Sequence, residues 1–415
     1  MKLINPILYF QDLLAFRKDR ERFLVVEILK HCVKVSALNA NFKDKKLFLA
    51  KFARKDIGFL ESPAEISKKL KKLLFRFGKI SRYKIVVSLD SRFAATIHAP
   101  VKLIRENPKT AINESELENL LSQAVWRFHD RNRNRVALKL NTNDLDVLLS
   151  DVHIKEIKLD GHKALNPIGF SAKSVEVCLG ATFTERNFSE TLNSLLPKEN
   201  ILFLGESGAT LAYVLSQSRE DSPFLLIKIY PQETTATCFK ENSISNVGNF
   251  AWGTSNLEMA VAENLNVAKP VAAGILSKYL DGNTSAHFAR RFEKLLFDEF
   301  GNFGNELANI LKKTNNKNVY IYSIFPLPLA VCFSAARHSS GRNLQLIFPR
   351  EDFVADKLNF ELKLKESRAF VGDFSGARRG AANFLLTASV ALAHHFCFQN
   401  EQMNKIIKRR VRWLL

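Results

Sequence analysis

The chain predicts an α/β protein of two related lobes, each a sheet packed with helices, with a small α+β unit inserted in the first. Three observations carry this prediction. The stretches LVVEILKHCVKVSAL from Leu24 and LLIKIYPQETTATCF from Leu225 share one pattern: a β-rich apolar run, a short turn and a second run with alternating apolar residues. That is the signature of a strand pair with a tight connection. Strand-like and helix-like runs follow each hairpin, as expected of a sheet covered by helices. Between the two hairpins, residues 91–175 read as a compact unit of their own. With 415 residues, 46% of them hydrophobic, the chain is long enough for two to four packed units.

Element by element, the N-terminal MKLINPILYFQDLLAFRKDRERF is no secretory signal, because Asn5, Pro6, Gln11 and Asp12 interrupt its apolar part. Asn5 as N-cap and Pro6 at the first helical position predict a helix to about Arg20, with Ile7, Leu8, Phe10, Leu13 and Leu14 on one side. LFLAKF at Leu47–Phe52 is predicted as a third strand, S-P-A-E opens a helix over Ser62–Phe77, and Tyr83–Leu89 is a further strand. Within the inserted unit, Arg92–Ile104 reads as extended, and Asn113, Glu114 and Glu116 start a helix through Leu120, Val125 and Phe128. Strands are predicted at Asp144–Leu149 and Val152–Leu159. Turns at Asp160-Gly161 and Asn166-Pro167 lead to SVEVCLGATF, a helix over Phe188–Leu196 and the segment ILFLGESGATLAYVLS. Past the second hairpin come helices at Asn256–Leu265 and Ala286–Lys312. NVYIYSIFPLPLAVCFSAA reads as strand, turn and helix, followed by a strand near Leu344–Phe348 and an apolar helix over Asn383–Phe398.

Composition narrows the function classes. Cys32, Cys178, Cys238, Cys332 and Cys397 lie at long irregular spacings inside apolar runs, which predicts buried thiols in a reducing cytoplasm. No C-x-x-C pair occurs, the nine histidines show no ligand spacing beside cysteine, and adjacent His394 and His395 point to different helix faces, so no metal is expected. The net charge of +19 points to a polyanionic partner, either nucleic acid or an anionic membrane, although outside the five basic residues of Met403–Leu415 it is spread without a stripe and reads mostly as solvated surface. Basic residues interleaved with aromatics are missing, and nucleic acid is not expected.

The two hairpin turns decide between enzyme and adaptor. A turn that cradles phosphate needs glycines to bring several N–H groups close, and a carboxylate to organise Mg²⁺. The first turn carries Glu27, Leu29, Lys30 and His31, and the second Lys228, Tyr230, Pro231 and Gln232. Lysine cannot coordinate Mg²⁺, and Pro231 removes an N–H donor.

This arrangement resembles the actin-like superfamily, a duplicated ribonuclease H-like fold, and within it the bacterial cell-division family FtsA, from about Phe23 onward. The most specific stretch is IKEIKLDGHKALNPIGFSAKSVEV, where Asp160, Gly161, Asn166, Pro167, Ile168 and Gly169 match the family's "lDG … nPiG" turn. GESGATLAYVLS resembles the segment entering the second lobe, with Glu206 at its acidic position. The resemblance places the family's first phosphate motif, "DiGsssvkv", on Glu27–Val35 and its second, "DiGggtTd", on Lys228–Thr235. Its adenosine-side glycines fall near Tyr322, Ser323 and Ile324, where no glycine stands. All three sites lack the residues the family uses. The resemblance therefore implies a pseudo-ATPase without cofactor, its cleft filled by Leu29, Tyr230, Pro231 and Phe325, with Lys228 expected to pair with Glu27 or Glu206.

The implied partition is an N-terminal extension at 1–22, a first lobe at 23–90 and 176–220, and an inserted FtsA-type subdomain at 91–175. A second lobe follows at 221–256 and 315–400, with a reduced outer subdomain at 257–314 and a tail at 401–415. FtsA proteins end in a membrane-targeting helix. Here, at about 100° per residue, Met403, Ile406, Ile407, Val411, Trp413 and Leu414 share one face, interrupted by Arg410. Lys405, Lys408, Arg409 and Arg412 occupy the other, an arrangement suited to anionic inner-membrane lipid. The alternative is a helix docked on the protein itself. The uncharged run Ala381–Asn400 offers a transmembrane alternative, weakened by Asn383, Thr387, Ser389, His394, His395 and Gln399.

The implied function is a cytoplasmic, membrane-associated adaptor for filaments of the tubulin-like FtsZ, with self-association into actin-like filaments as a further expectation. A PilM-like scaffold of pilus or secretion machinery is the alternative, favoured by the short outer subdomain. An active actin-like ATPase is the enzyme alternative.

Overall fold

The computed structural model describes residues 21–29, 32–57, 61–197, 200–216, 222–240, 243–314, 316–323, 327–328, 331, 345–347, 361–364, 403–404 and 406–407. The predicted N-terminal helix, most of the helix after Phe325, the apolar run Asn383–Phe398 and residues 408–415 lie outside them. Alternation in the first hairpin sets the layers. β1 (Glu21–Ile28) and β2 (Cys32–Asn41) pair antiparallel with Glu27 opposite Lys34, and the Leu29 N–H closes the turn on the Cys32 carbonyl at 2.9 Å. β3 (Lys46–Asp56) extends the sheet beyond β2, and β4 (Lys84–Leu89) lies parallel beyond β1.

The second lobe repeats this plan. Its hairpin strands are β10 (Phe224–Ile229) and β11 (Thr234–Lys240), with Lys228 opposite Thr235 and the Tyr230 N–H closing the turn on the Glu233 carbonyl at 2.9 Å. β12 (Ser243–Phe250) extends the hairpin, and β13 (Asn318–Ser323) and β14 (Gln345–Ile347) lie parallel on the other side. In the first lobe β9 (Ile201–Glu206) occupies the position that β14 holds in the second. The first sheet gains one strand the sequence reading lacked, β15 (Glu361–Leu364), parallel to β3.

In β1, Phe23 and Val25 join one buried cluster while Leu24, Val26 and Ile28 join another, so both faces of the sheet are covered. α1 (Pro63–Leu74) and α3 (Arg186–Leu195) cover the outer face of the first sheet. α1 starts where S-P-A-E places it, in a reciprocal capping box between Ser62 and Glu65. α5 (Thr254–Leu265), α6 (Lys269–Leu280) and α7 (Ala286–Thr314) cover the second, α6 falling between the two helices predicted at Asn256–Leu265 and Ala286–Lys312. Between the inner faces runs α4 (Ser207–Ser216), buried at every position from Ser207 to Leu215. A helix of sequence SGATLAYVLS, uncharged on every side, is stable only in such an interior.

The inserted subdomain is an antiparallel sheet in the order β5 (Ala94–Ile104), β8 (Ser174–Glu185), β6 (Val147–Leu159), β7 (His162–Ala164), with α2 (Glu114–Leu140) on one face. Two expectations change here. SVEVCLGATF, which the implied partition gives to the first lobe from Glu176 onward, lies in β8 and pairs with β5 and β6. Of the predicted strands at Asp144–Leu149 and Val152–Leu159, Asp144–Asp146 forms a 3-10 turn and the rest is one strand, β6, with bulges at Ser150 and Lys155. The D-G and NPIG turns are built as cross-braces. The Asp160 carboxylate accepts the Lys173 and Ser174 N–H groups at 2.9 and 2.7 Å, Gly161 and Gly169 take φ of 90° and 88°, and the Gly169 N–H reaches the Ile112 carbonyl at 2.8 Å. Buried Arg105 donates to both Glu116 oxygens at 2.7 and 2.9 Å, and to the Thr110 and Ala172 carbonyls at 2.9 Å each.

The subdomain joins both lobes. Ile244 of β12 pairs with His98 of β5, so its sheet is continuous with that of the second lobe. Toward the first lobe, Asp151 accepts the Leu204 N–H at 2.8 Å and Thr96 Oγ1 accepts the Glu206 N–H at 2.7 Å. Near these joints His98 and His153 flank Gly180 across three strands, 5.5 Å between ring centroids, and His98 stacks on Tyr213 of α4. A Cβ on Gly180 would lie 2.3 Å from His153 Nε2, so only glycine admits both rings.

Burial, reinforced by Lys155 and His153, holds His98 well below its ordinary value of 6.5. The unfolded chain therefore takes up that proton first; His98's contribution to stability is full above pH 6.5 and is lost as pH falls through it. In chemical denaturation between pH 7 and 5, the acid-side slope should flatten by up to about 1.4 kcal/mol per pH unit in His98→Phe. An unchanged slope would show that His98 is not a proton-linked group.

Candidate functional site

The turns that resemble phosphate motifs meet at the polar end of the layer between the sheets. Alternation aims Glu27 inward with Phe23 and Val25, and Lys228 inward with Phe224 and Leu226. Both are buried, with Lys34, Asp90, Glu206 and Ser207 around them. Full burial of charges is tolerable only where each has a counter-charge or a hydrogen bond.

The partners differ from those expected. Glu27 faces Lys34 across its own hairpin at 3.5 Å, both side chains 0% exposed. Lys228 donates to Ser207 Oγ, not to either glutamate, and its ammonium lies 4.9 Å from the Tyr230 ring centroid. The reason is the neighbouring helix start. Glu206 accepts the Gly208 and Ala209 N–H groups at 2.8 Å each, capping α4 with its own carboxylate, and this leaves the Ser207 hydroxyl toward Lys228. Burial pulls the Lys228 ammonium below its ordinary value, opposed by the charges of Glu206, Asp90 and Glu27. Tyr230 is pushed well above its own, by burial first and then by Asp90 and Glu206.

The second turn is also tied from outside. Its Tyr230 and Pro231 carbonyls accept the N–H groups of Thr254 and Ser255, at 3.0 and 2.7 Å, at the start of α5. Unused N–H groups at a helix N-terminus are the donors that would hold a phosphate. Here they hold the chain's own turn. Gly253 allows the approach, because a Cβ there would sit 2.3 Å from the Tyr230 oxygen and 2.4 Å from the Pro231 carbonyl carbon.

Of the side chains expected to fill the cleft, Leu29 and Tyr230 are buried, whereas Pro231 is half-buried and acts through its carbonyl, and Gln232 is exposed. Ser323 ends β13 beside Ile229, half-buried. Lys30, His31, Ile324 and Phe325 lie outside the described residues. The residues the sequence reading missed are Lys34, Asp90 and Ser207. Lys34 carried a signal, since it interrupts the inward parity of CVKVSAL between Cys32 and Ser36; the others are brought in by strand ends that only the fold aligns.

Among the tail positions assigned to lipid, Ile407 is buried and Ile406 is half-buried, both packed on the inserted subdomain with Met403. That is the docked alternative, reached because this core accepts the same apolar face. Lys405, Lys408, Arg409, Arg410, Val411, Arg412, Trp413 and Leu414 lie outside the described residues. Elsewhere, a cavity of about 220 Å³ opens between α2, β5 and β12, lined by Thr96, Arg135, Lys139, Ser245, Asn246 and Gly248. Among the described residues, no group of His, Cys, Asp and Glu is arranged to hold a metal, and no helix is long and apolar enough to cross a membrane.

No protein-family model matches the chain, and no curated protein matches it in sequence. Solved structures do. One, described as a PilM-PilN type IV pilus biogenesis complex, is similar over 89% of this chain and 98% of its own, with 15% identity and a TM-score of 0.52. Others include a Bacteroides thetaiotaomicron protein of actin-like ATPase fold and unknown function, and the ethanolamine utilization protein EutJ of Carboxydothermus hydrogenoformans. The first is 10% identical over 80% of this chain and 92% of its own, with a TM-score of 0.39. EutJ is 9% identical over 83% and 94%, with a TM-score of 0.41. The fold is actin-like, as expected; the likeness extends to the fold and not to FtsA in particular.

Restoring the motif's acid tests the site. Lys228→Asp sets another carboxylate beside Glu27, Asp90 and Glu206 and should lower unfolding free energy by ~3–5 kcal/mol without producing Mg·ATP binding by calorimetry. Tight Mg·ATP binding by this variant would reveal a latent nucleotide site. Gly253→Ala should cost ~2 kcal/mol or more in urea unfolding, because the obstructing atoms are backbone; a neutral effect would mean that the turn is not held by α5.

Proposed function

We propose that this chain is a nucleotide-independent scaffold, a PilM-like relative of the actin fold that works by holding a partner at the cytoplasmic face of a membrane. The observation that carries it is that the groups at the two turns find their partners within the chain. Glu27 is neutralised by Lys34, Lys228 is bonded to Ser207 over Tyr230, and the donors at the start of α5 are occupied by the second turn. A triphosphate with Mg²⁺ needs carboxylate oxygens open to the metal and free N–H groups. On this reading the protein is a pseudo-ATPase, its lobes held by packing and by the sheet shared through His98 and Ile244.

The pilus direction is supported by the likeness to the PilM-PilN complex, which spans nearly all of that PilM-containing structure's matched chain. The membrane direction is supported by the charge of +19 and by the basic residues Lys405, Lys408, Arg409, Arg410 and Arg412. A second reading, an FtsA-like tether for FtsZ-type filaments, draws on the D-G and NPIG turn, which the fold uses as a brace around Asp160 and Gly169.

Co-purification decides between them. The full chain should retain a PilN-type membrane protein from the same cells and fail to sediment with FtsZ-type filaments. Co-sedimentation with the filaments and no PilN-type partner would reverse the assignment. Calorimetry with Mg·ATP should show no binding by the unaltered chain; saturable binding would overturn the pseudo-ATPase reading.

A further inference from the structure

The described tail residues are held more specifically than an apolar face alone requires. Met403, Asn404 and Ile407 are 4%, 1% and 0% exposed, in the core of the inserted subdomain. Asn404 Oδ1 accepts the Ile154 N–H at 2.8 Å, and its Nδ2 donates to the Ile154 carbonyl at 3.5 Å. One side-chain amide thus serves both backbone groups of one strand residue, as a neighbouring strand would. The location explains why it can. β7 covers β6 only over Ile157–Leu159, and the bulge after Ile154 turns the strand at the end of that cover. Without Asn404, two buried backbone groups at this edge would need other partners.

The residues that dock, Met403, Ile406 and Ile407, are those that the amphipathic pattern assigns to the acyl boundary. One face cannot be in both places. We propose that the segment around Asn404 is a reversible latch: its apolar face is shared between the β6 edge of the inserted subdomain and an anionic lipid surface, and the two placements exclude one another. The inference rests on the membrane association proposed above. Docked, the chain presents a capped β6 edge and hides the apolar part of its lipid contact; on the membrane, it gives up the Asn404 contacts and uncovers that edge. Apparent lipid affinity is then the intrinsic affinity scaled by the fraction undocked.

The experiment uses the full chain with vesicles of phosphatidylglycerol and phosphatidylethanolamine. Asn404→Ala, which removes the amide but not the apolar face, should raise the vesicle-bound fraction at limiting lipid about fivefold. In the unaltered chain, hydrogen exchange at the Ile154 amide should be slow in solution and accelerate when vesicles are added. This second readout stands even if the variant folds poorly. Vesicle binding with Ile154 protection unchanged, or equal binding by both chains, would overturn the latch while leaving membrane association intact. Failure of both chains to bind at any lipid concentration would remove the membrane reading, and the latch with it.

Discussion

The rest of the molecule is arranged around the burial of opposite charges where the two hairpins meet. Glu27 and Lys228 hold equivalent places in the repeated halves, each one residue short of the end of its strand and each aimed into the layer between sheets. A carboxylate and an ammonium in such positions are far from water. Their cost is offset locally, by Lys34 across the first hairpin and by Ser207 at the start of α4, with Glu206, Asp90 and Glu27 supplying opposite charge around Lys228. Because these partners come from different strands of both lobes and from the central helix, the charge arrangement also fixes how the lobes approach.

The same helix explains why the lobes behave as one layered body. α4 follows directly on β9, is capped by Glu206 and packs between both inner faces, with Tyr213 reaching the His98–His153 pair of the inserted subdomain. Hydrogen bonds from the backbone N–H groups of β9 to Asp151 and Thr96 complete a circuit through first lobe, subdomain and second lobe. In an actin-like fold that cycles with nucleotide, the cleft must be able to open. Here Lys228 of the second hairpin is bonded to Ser207 at the start of the central helix, a link that separation of the two would break.

The inserted subdomain carries the features that look outward. Arg105 knots the end of β5, the start of α2 and the loop leaving NPIG, which makes this end of the subdomain rigid. Its opposite flank, along β6, is instead completed by residues distant in sequence. On the proposed scaffold reading, the subdomain presents one preformed surface and one that depends on where the tail resides.

The hairpins, the capped starts of α1 and α2 and the duplicated α/β plan were legible in the sequence, because alternation, capping residues and turn chemistry are local signals. The inward aim of Glu27 and Lys228 was likewise readable from strand alternation, which is also a local signal. Partner choice was not local. That Lys228 meets Ser207, that Glu27 meets Lys34 and that SVEVCLGATF joins the inserted sheet follow from strand register and from which groups the start of α4 leaves unsatisfied. The tail shows the division most plainly. Its sequence determined an apolar and a basic face, but only the tertiary structure brought Ile154, beyond the part of β6 that β7 pairs with, to Asn404, because a strand edge exists only once the strands around it have been placed.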